Sequence, residues 1–281
     1  MRMVAAAGLL SAAIPAGPAC AGERSTAVVI GGTGSALGGM KEIAKAFRKE
    51  HPEITVSFVP SLGSSGGIEA ALSGSLDLAL SARPLTDSEQ ERGASAVEYA
   101  RTPFLFTTKD ASHAASLTLR KVASIYGGEA PQWPDGTPLR LVLRPEKDMD
   151  TLLLRSMSPE MDIAVQKAVR RQGMLVAVTD QENADALVKG KGAFGATTLA
   201  QILAEKRPLI PLTLDGVAPG VDALAEGRYP FSKVFYAIST PRSSSATRQF
   251  IEYLVSPKAR AILARTGHLV SARPGTAGRR E

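Results

Sequence analysis

Apolar positions along the chain fall into short runs that alternate with amphipathic stretches. Residues 27–30 form one apolar run, and Met40, Ile43, Ala44 and Phe47 then recur at helical spacing until His51-Pro52 stops the helix. "ITVSFV" reads as a strand, "GGIEAALSG" as a helix closed by Gly74, and "LDLAL" as the next strand. This β-α-β-α-β order predicts a parallel, doubly wound sheet with helices on both faces. Ligands of such sheets gather where strand ends meet helix starts.

After "TPFLFTTKD" the pattern begins again. Leu119, Val122, Ile125 and Tyr126 share a helix face closed by glycine, "PLRLVL" is a strand, and Ser158-Pro159 opens a helix running to about Arg171. "MLVAV" is a further strand, Asp180 reads as the cap of the helix carrying Ala184, Leu187 and Val188, and "GAFGA" and "PLIPLTL" are short strands. "KVFYAIS" follows as a strand, with "ATRQFIEYL" and "PKARAILARTG" as helices. The breaks near Lys109 and at "APGVDALAEGRYP" predict two α/β lobes.

The N-terminus adds a destination. Arg2, an apolar core from Val4 to Ile14 and the small-x-small pattern Ala19-Cys20-Ala21 read as a signal peptide over residues 1–21. The alternative, a lipid anchor on Cys20, needs a lipobox that Gly17-Pro18-Ala19 matches poorly. Cys20 is the one cysteine of the 281 residues, so cleavage leaves neither a disulfide framework nor a cysteine nucleophile. A formal charge of +6 with scattered basic residues suits a small anion and excludes a nucleic-acid stripe, and 44% hydrophobic residues allow a sizeable core. "SARPGTAGRRE" reads as a disordered tail over 271–281. No metal-ligand spacing joins His51, His113 and His268, and no cofactor motif is present.

Two glycine-rich turns carry the candidate chemistry. Gly34 to Gly39 has P-loop spacing but is followed by Met40-Lys41-Glu42, and Leu37 stands where a dinucleotide fingerprint needs its third glycine. What remains is a helix start whose backbone N–H groups, from Gly34, Ser35 and Ala36, and whose Thr33 and Ser35 hydroxyls favour an anion. "SLGSSGGIEAAL" repeats the device with Ser64 and Ser65, and Ser81 and Arg83 end the next strand with a planar, bidentate donor. Taken alone, either turn is also an ordinary tight turn with a Ser/Thr cap. Gly63-Ser64-Ser65-Gly66-Gly67 also fits a nucleophile elbow, with His268 C-terminal to it; a secreted serine hydrolase using Ser65 is the alternative in another class.

"GTGSALGGMKEIAKAFRKEHP", "PSLGSSGGIEAALSGSLDLALSARPL", "LTLRKVASIYGGEAPQWPDG", "LVLRPEKDMDT" and "RYPFSKVFYAIS" together resemble the periplasmic phosphate-binding protein family of ABC importers. The resemblance implies a two-lobed type II substrate-binding fold, each lobe a mostly parallel sheet flanked by helices. It places lobe 1 at 22–107 and 228–270 and lobe 2 at 108–227. It also implies a periplasmic monomer without catalytic residues that holds inorganic phosphate or a similar oxyanion for a membrane permease. Carried over by position, Thr33, Gly34, Ser35 and Ala36 form the first phosphate loop. Ser64, Ser65 and Gly66 form the second, Ser81 and Arg83 the strand-end contact, and Arg144 and Thr151 the ends of the second lobe's loop. Between those last two stands "PEKDMD", with three acidic residues and no glycine, and Ala82 replaces a usual polar residue. Either Asp148 and Asp150 turn outward, one accepts a proton from the ligand, or the ligand is not phosphate. A non-transport sensing protein of the same fold is a third reading.

Overall fold

The computed structural model describes residues 26–113 and 116–270; the expected leader, Cys20 and the tail lie outside the described residues. The chain first builds β1 (Ala27–Gly32), α1 (Gly34–Glu50), β2 (Thr55–Phe58), α2 (Gly63–Ser73), β3 (Leu78–Ser81), α3 (Asp87–Glu91) and the long strand β4 (Ser95–Thr108). A 3-10 turn at Ala111–His113 leads to α4 (Leu119–Gly127), β5 (Arg140–Leu143), α5 (Met149–Ser156), α6 (Pro159–Val169) and β6 (Leu175–Val176). Then come α7 (Asp180–Lys189), β7 (Ala193–Thr198), α8 (Leu199–Ala204), β8 (Ile210–Pro211) and α9 (Val221–Ala225). The chain returns through β9 (Ser232–Ser239), α10 (Ser245–Leu254), α11 (Pro257–Arg265) and β10 (Leu269–Val270).

The strands run in the order β2-β1-β3-β9-β4-β7-β5-β6. The triplets β2-β1-β3 and β7-β5-β6 are parallel, as crossover helices require. β9 and β4 are antiparallel to their neighbours and form the middle of the order. β4 serves both halves: Ser95 to Pro103 pair with β9, and Phe104 to Thr107 pair with β7. The apolar core divides at the same place. Val28, Ile30, Phe47, Leu80, Phe235 and Phe250 belong to one cluster, and Phe104, Phe106, Tyr126, Leu143 and Phe194 to another. The changeover falls between Ala100 and Phe104 on the way out and between Phe231 and Phe235 on the way back.

Glycine is required where α2 meets β1. Gly32 sits at φ +121°, and a Cβ on Gly67 would lie 2.6 Å from its Cα, so α2 packs directly on the backbone that ends β1. That contact brings the starts of α1 and α2 side by side.

Several expectations need correction. The "PEKDMD" stretch opens a helix, α5, capped by Asp148, whose side chain accepts from the Asp150 N–H at 2.9 Å. Thr179, not Asp180, caps α7: its hydroxyl accepts from the Glu182 N–H, and Glu182 reaches back to the Thr179 N–H. Trp133 and His113, which no periodic pattern places in the core, are buried and stacked with ring centroids 4.4 Å apart, and the indole N–H donates to the Gly192 carbonyl at 3.0 Å. His268, the possible partner of Ser65 in the hydrolase alternative, is buried against Gly39 and Phe235, and burial pushes its pKa down to about 4. It is a neutral core histidine.

Candidate functional site

A cavity of about 290 Å³ lies between the lobes. The first half contributes Thr33, the start of α2 from Leu62 to Gly66, and Arg83; the second contributes Lys147, Asp148, Met149, Leu152 and Asp180. Lys233 of β9 closes its floor. A larger open groove, about 1100 Å³, runs along the far side of α1 past Lys41 and Phe58. Its Glu42 and Glu205 pair with Lys45 and Arg207, and the two glycine turns do not converge there.

Of the sequence candidates, Thr33, Ser64, Ser65, Gly66 and Arg83 line the cavity. The start of α2 has no side-chain cap, because Leu62 occupies the cap position. Ser64 Oγ accepts from the Ala82 N–H at 2.9 Å, which leaves its proton free to point elsewhere. Ser65 Oγ accepts from Arg83 Nη2 at 3.1 Å. Arg83 is already paired: Glu89 accepts its Nη1 and Nη2 at 2.9 and 2.7 Å, and the bidentate contact holds the Glu89 carboxyl down at about 2.

The other candidates sit outside the cavity lining. Ser81 Oγ donates to the Arg83 carbonyl at 2.7 Å and so shapes the turn. The Ala36 N–H turns back to the Thr33 carbonyl at 3.3 Å, and Ala36 offers no free donor. Thr151 Oγ1 donates to the Arg144 carbonyl at 3.2 Å. Arg144 is buried behind Asp148: Nη2 donates to Asp148 Oδ2 and Nη1 to the Ala177 carbonyl, both at 2.9 Å. Ser65 and His268 are not brought together, for His268 Nδ1 lies 3.2 Å from both Thr266 Oγ1 and the Leu263 carbonyl.

Gly34 and Ser35 lead to residues that sequence reasoning missed. Lys233, 2% exposed, donates to Ser35 Oγ at 3.1 Å, is in direct ion-pair contact with Asp150, and lies 3.5 Å from Asp180 Oδ1. Arg144 reaches the second oxygens of Asp150 and Asp180, each at 3.8 Å. Two cations, Arg144 and Lys233, thus face three carboxylates, Asp148, Asp150 and Asp180. Burial raises the Asp150 carboxyl to about 6 against the pull of Lys233. Burial would raise Asp180 too, but Lys233, Arg144 and the Gly34 and Ser35 N–H groups outweigh it and hold that carboxyl below its ordinary value. Burial opposes the charge on Lys233, yet Asp150 and Asp180 keep its pKa above normal. Asp150 does not turn outward, and Asp148 faces the cavity and Arg144 at once.

A family model described as PBP superfamily domain matches residues 19–258. The phosphate-binding protein PstS 2 of Streptococcus agalactiae is 29% identical over 108 residues, 38% of this chain and 36% of that protein. PstS of Staphylococcus saprophyticus is 32% identical over 116 residues, with the same coverage. The chain spans little more than a third of the length of these curated relatives. Among solved structures, one from Clostridium perfringens, with phosphate bound and described as a phosphate ABC transporter substrate-binding protein, is 21% identical with a TM-score of 0.73. The match covers 87% of this chain and 99% of that one. The periplasmic molybdate-binding protein of Azotobacter vinelandii is 17% identical with a TM-score of 0.61, over 87% and 99%. Because the family model runs through both halves of the strand order and the whole cavity lining, the chain belongs to the PBP superfamily, with the two-lobed α/β fold of type II periplasmic binding proteins.

Proposed function

We propose that this protein is an exported solute-binding protein that captures an inorganic oxyanion, phosphate first, in the interlobe cavity and presents it to an ABC permease. The observation that carries this reading is the uncapped start of α2, which opens into the cavity with Ser64 and Ser65 beside Thr33 and Arg83. Helix-start N–H groups and hydroxyls satisfy a desolvated anion at fixed geometry, and two lobes that close over it exclude water. The phosphate-binding names of the relatives point the same way, and the molybdate-binding neighbour keeps other tetrahedral oxyanions in contention. The leader pattern of residues 1–21 supports export. Capture rather than catalysis fits a Ser65 hydroxyl held by an arginine with no histidine beside it among the described residues.

A thermal-shift and calorimetric screen of the chain from Gly22, with phosphate, sulfate, molybdate, tungstate and phosphonates, tests the proposal. A ligand at about a hundred times its Kd stabilises by roughly 2.7 kcal/mol, a shift of several degrees. Phosphate is expected to give it. No shift with any of these anions at millimolar concentration refutes the reading.

A further inference from the structure

The start of α1 already holds an anion. A Cβ built on Gly34 would lie 2.8 Å from Asp180 Oδ2, so the Asp180 carboxylate rests against the Gly34 backbone, facing the Gly34 and Ser35 N–H groups. Asp180 belongs to α7 of the opposite lobe and is 3% exposed. Its own helix has no need of it, since Thr179 and Glu182 complete a reciprocal cap without it. The partners that offset its burial are Lys233 and the start of α1, on the first-lobe side, and Arg144 behind it. Gln181, the next residue, makes a second bridge: its Nε2 donates to the Gly34 carbonyl and to Glu205 Oε1, both at 3.0 Å.

We propose that Asp180 is a tethered anion that occupies the α1 half of the cradle, latches the lobes together without ligand, and sets the affinity an external oxyanion reaches. A buried carboxylate is tolerated only while its donors surround it. Separating the lobes parts Asp180 from Lys233 and from the start of α1, so the contacts that keep this carboxylate ionised are made only when the lobes are closed. An external oxyanion meets a cradle half filled: it seats at α2, or it displaces Asp180 from α1. At α2 it meets Arg83 and Lys147 but lies in the same cavity as the Asp148 and Asp180 carboxylates; at α1 it enters the buried cluster, where three carboxylates face two cations; in both seats the Asp180 charge repels it. The latch stands on the contacts that Asp180 and Gln181 make with Lys233 and Gly34 across the lobes; the competition rests on the oxyanion reading above.

Interlobe energy transfer tests the two clauses separately. The chain from Gly22 lacks cysteine, so dyes on cysteines introduced at the exposed Ser73 of α2 and Lys167 of α6 report lobe separation. Without ligand, Asp180→Asn and Asp180→Ala are expected to lower the transfer efficiency. Gly34→Ala, which leaves every charge in place and puts a methyl group 2.5 Å from Gln181 Oε1 and 2.8 Å from Asp180 Oδ2, against both bridging side chains, is expected to do the same. Efficiency unchanged in Asp180→Asn and Gly34→Ala overturns the latch. By calorimetry with inorganic phosphate, Asp180→Asn is expected to bind about tenfold tighter, an ordinary size for a coupling between two sites. Phosphate affinity that is unchanged or weaker in that variant overturns the competition. Lowered efficiency together with no phosphate binding in the unmodified chain upholds the latch and defeats the oxyanion reading.

Discussion

Lys233→Met removes the cation on which the buried cluster depends while keeping most of the side chain's volume. In the native protein Lys233 touches Asp150, lies 3.5 Å from Asp180 and donates to Ser35 Oγ. Removing one member of a buried ion pair costs about 3–5 kcal/mol, because the other is left charged and unpaired. Arg144, 3.8 Å from both carboxylates, retains part of the compensation and puts the expectation near the lower end, about 3 kcal/mol. For a chain of this size that is a fall in Tm of roughly 6–12 °C. The pH dependence makes the test sharper. Asp150 titrates at about 6 in the folded protein, above its ordinary 3.8, so its charge costs stability above pH 6, and that cost is relieved as pH falls from about 6 towards 3.8. Without Lys233 the folded-state value rises further, and the relief begins at a higher pH. The deficit of the variant is therefore largest near pH 8, narrows by up to about 1.4 kcal/mol per unit on the way down, and levels off below about 6. Urea unfolding of both proteins between pH 8 and 5 measures it. A deficit below about 1 kcal/mol at pH 8, or one that does not change between pH 8 and 6, refutes the reasoning.

The neutral His268 titrates in the opposite sense: its stabilisation is complete above pH 6.5 and is lost as pH falls towards 4, so His268→Phe is expected to flatten the acid limb of the urea midpoint there. Arg83 gives Glu89 two of its bonds, so Arg83→Ala is expected to weaken phosphate binding by less than about 1.5 kcal/mol by calorimetry, the low end for a hydrogen bond to a charged group. A larger loss would show that Glu89 yields the guanidinium to the ligand. Trp133, stacked on His113 in the core of the second lobe, is expected to emit at short wavelength, to stay insensitive to phosphate and to shift red on unfolding. A phosphate-dependent emission change would contradict that placement.

The first lobe was legible because its apolar runs are separated by glycine punctuation, and α1 and α2 fall where Met40, Ile43, Phe47 and Gly74 predict them. β4 was not, because Phe104 to Thr108 are buried on both faces and show no alternation to read. α5 was hidden by the polar residues that open it. The two turns and Arg83 could be named from sequence, but not that Glu89 and the strand-end turn use up Arg83 and Ser81. Asp180 looks like any acid in a helix's first turn, a place where the dipole alone favours one. Only the approach of the other lobe distinguishes it. Lys233 offered a faint signal, a lone cation leading an otherwise apolar strand, yet its partners Asp150 and Asp180 lie 83 and 53 residues away in a direction no local pattern encodes.

The placement of β9 between β3 and β4 also dictates an order of assembly. Until Ser232 to Ser239 arrive, β3 and the first part of β4 have no partner between them, and the first sheet has an open seam. The second lobe carries no such debt to later sequence: Phe104 to Thr107, β5, β6 and β7 are all available before β9 emerges. A chain delivered from its N-terminus would thus complete its middle first and its beginning last. Residues 27–103 wait, with the facing edges of β3 and the first part of β4 exposed, for a segment more than a hundred residues downstream. Closing that seam is the long-range step, and variants in β9 should slow refolding more than equally destabilising ones in β5.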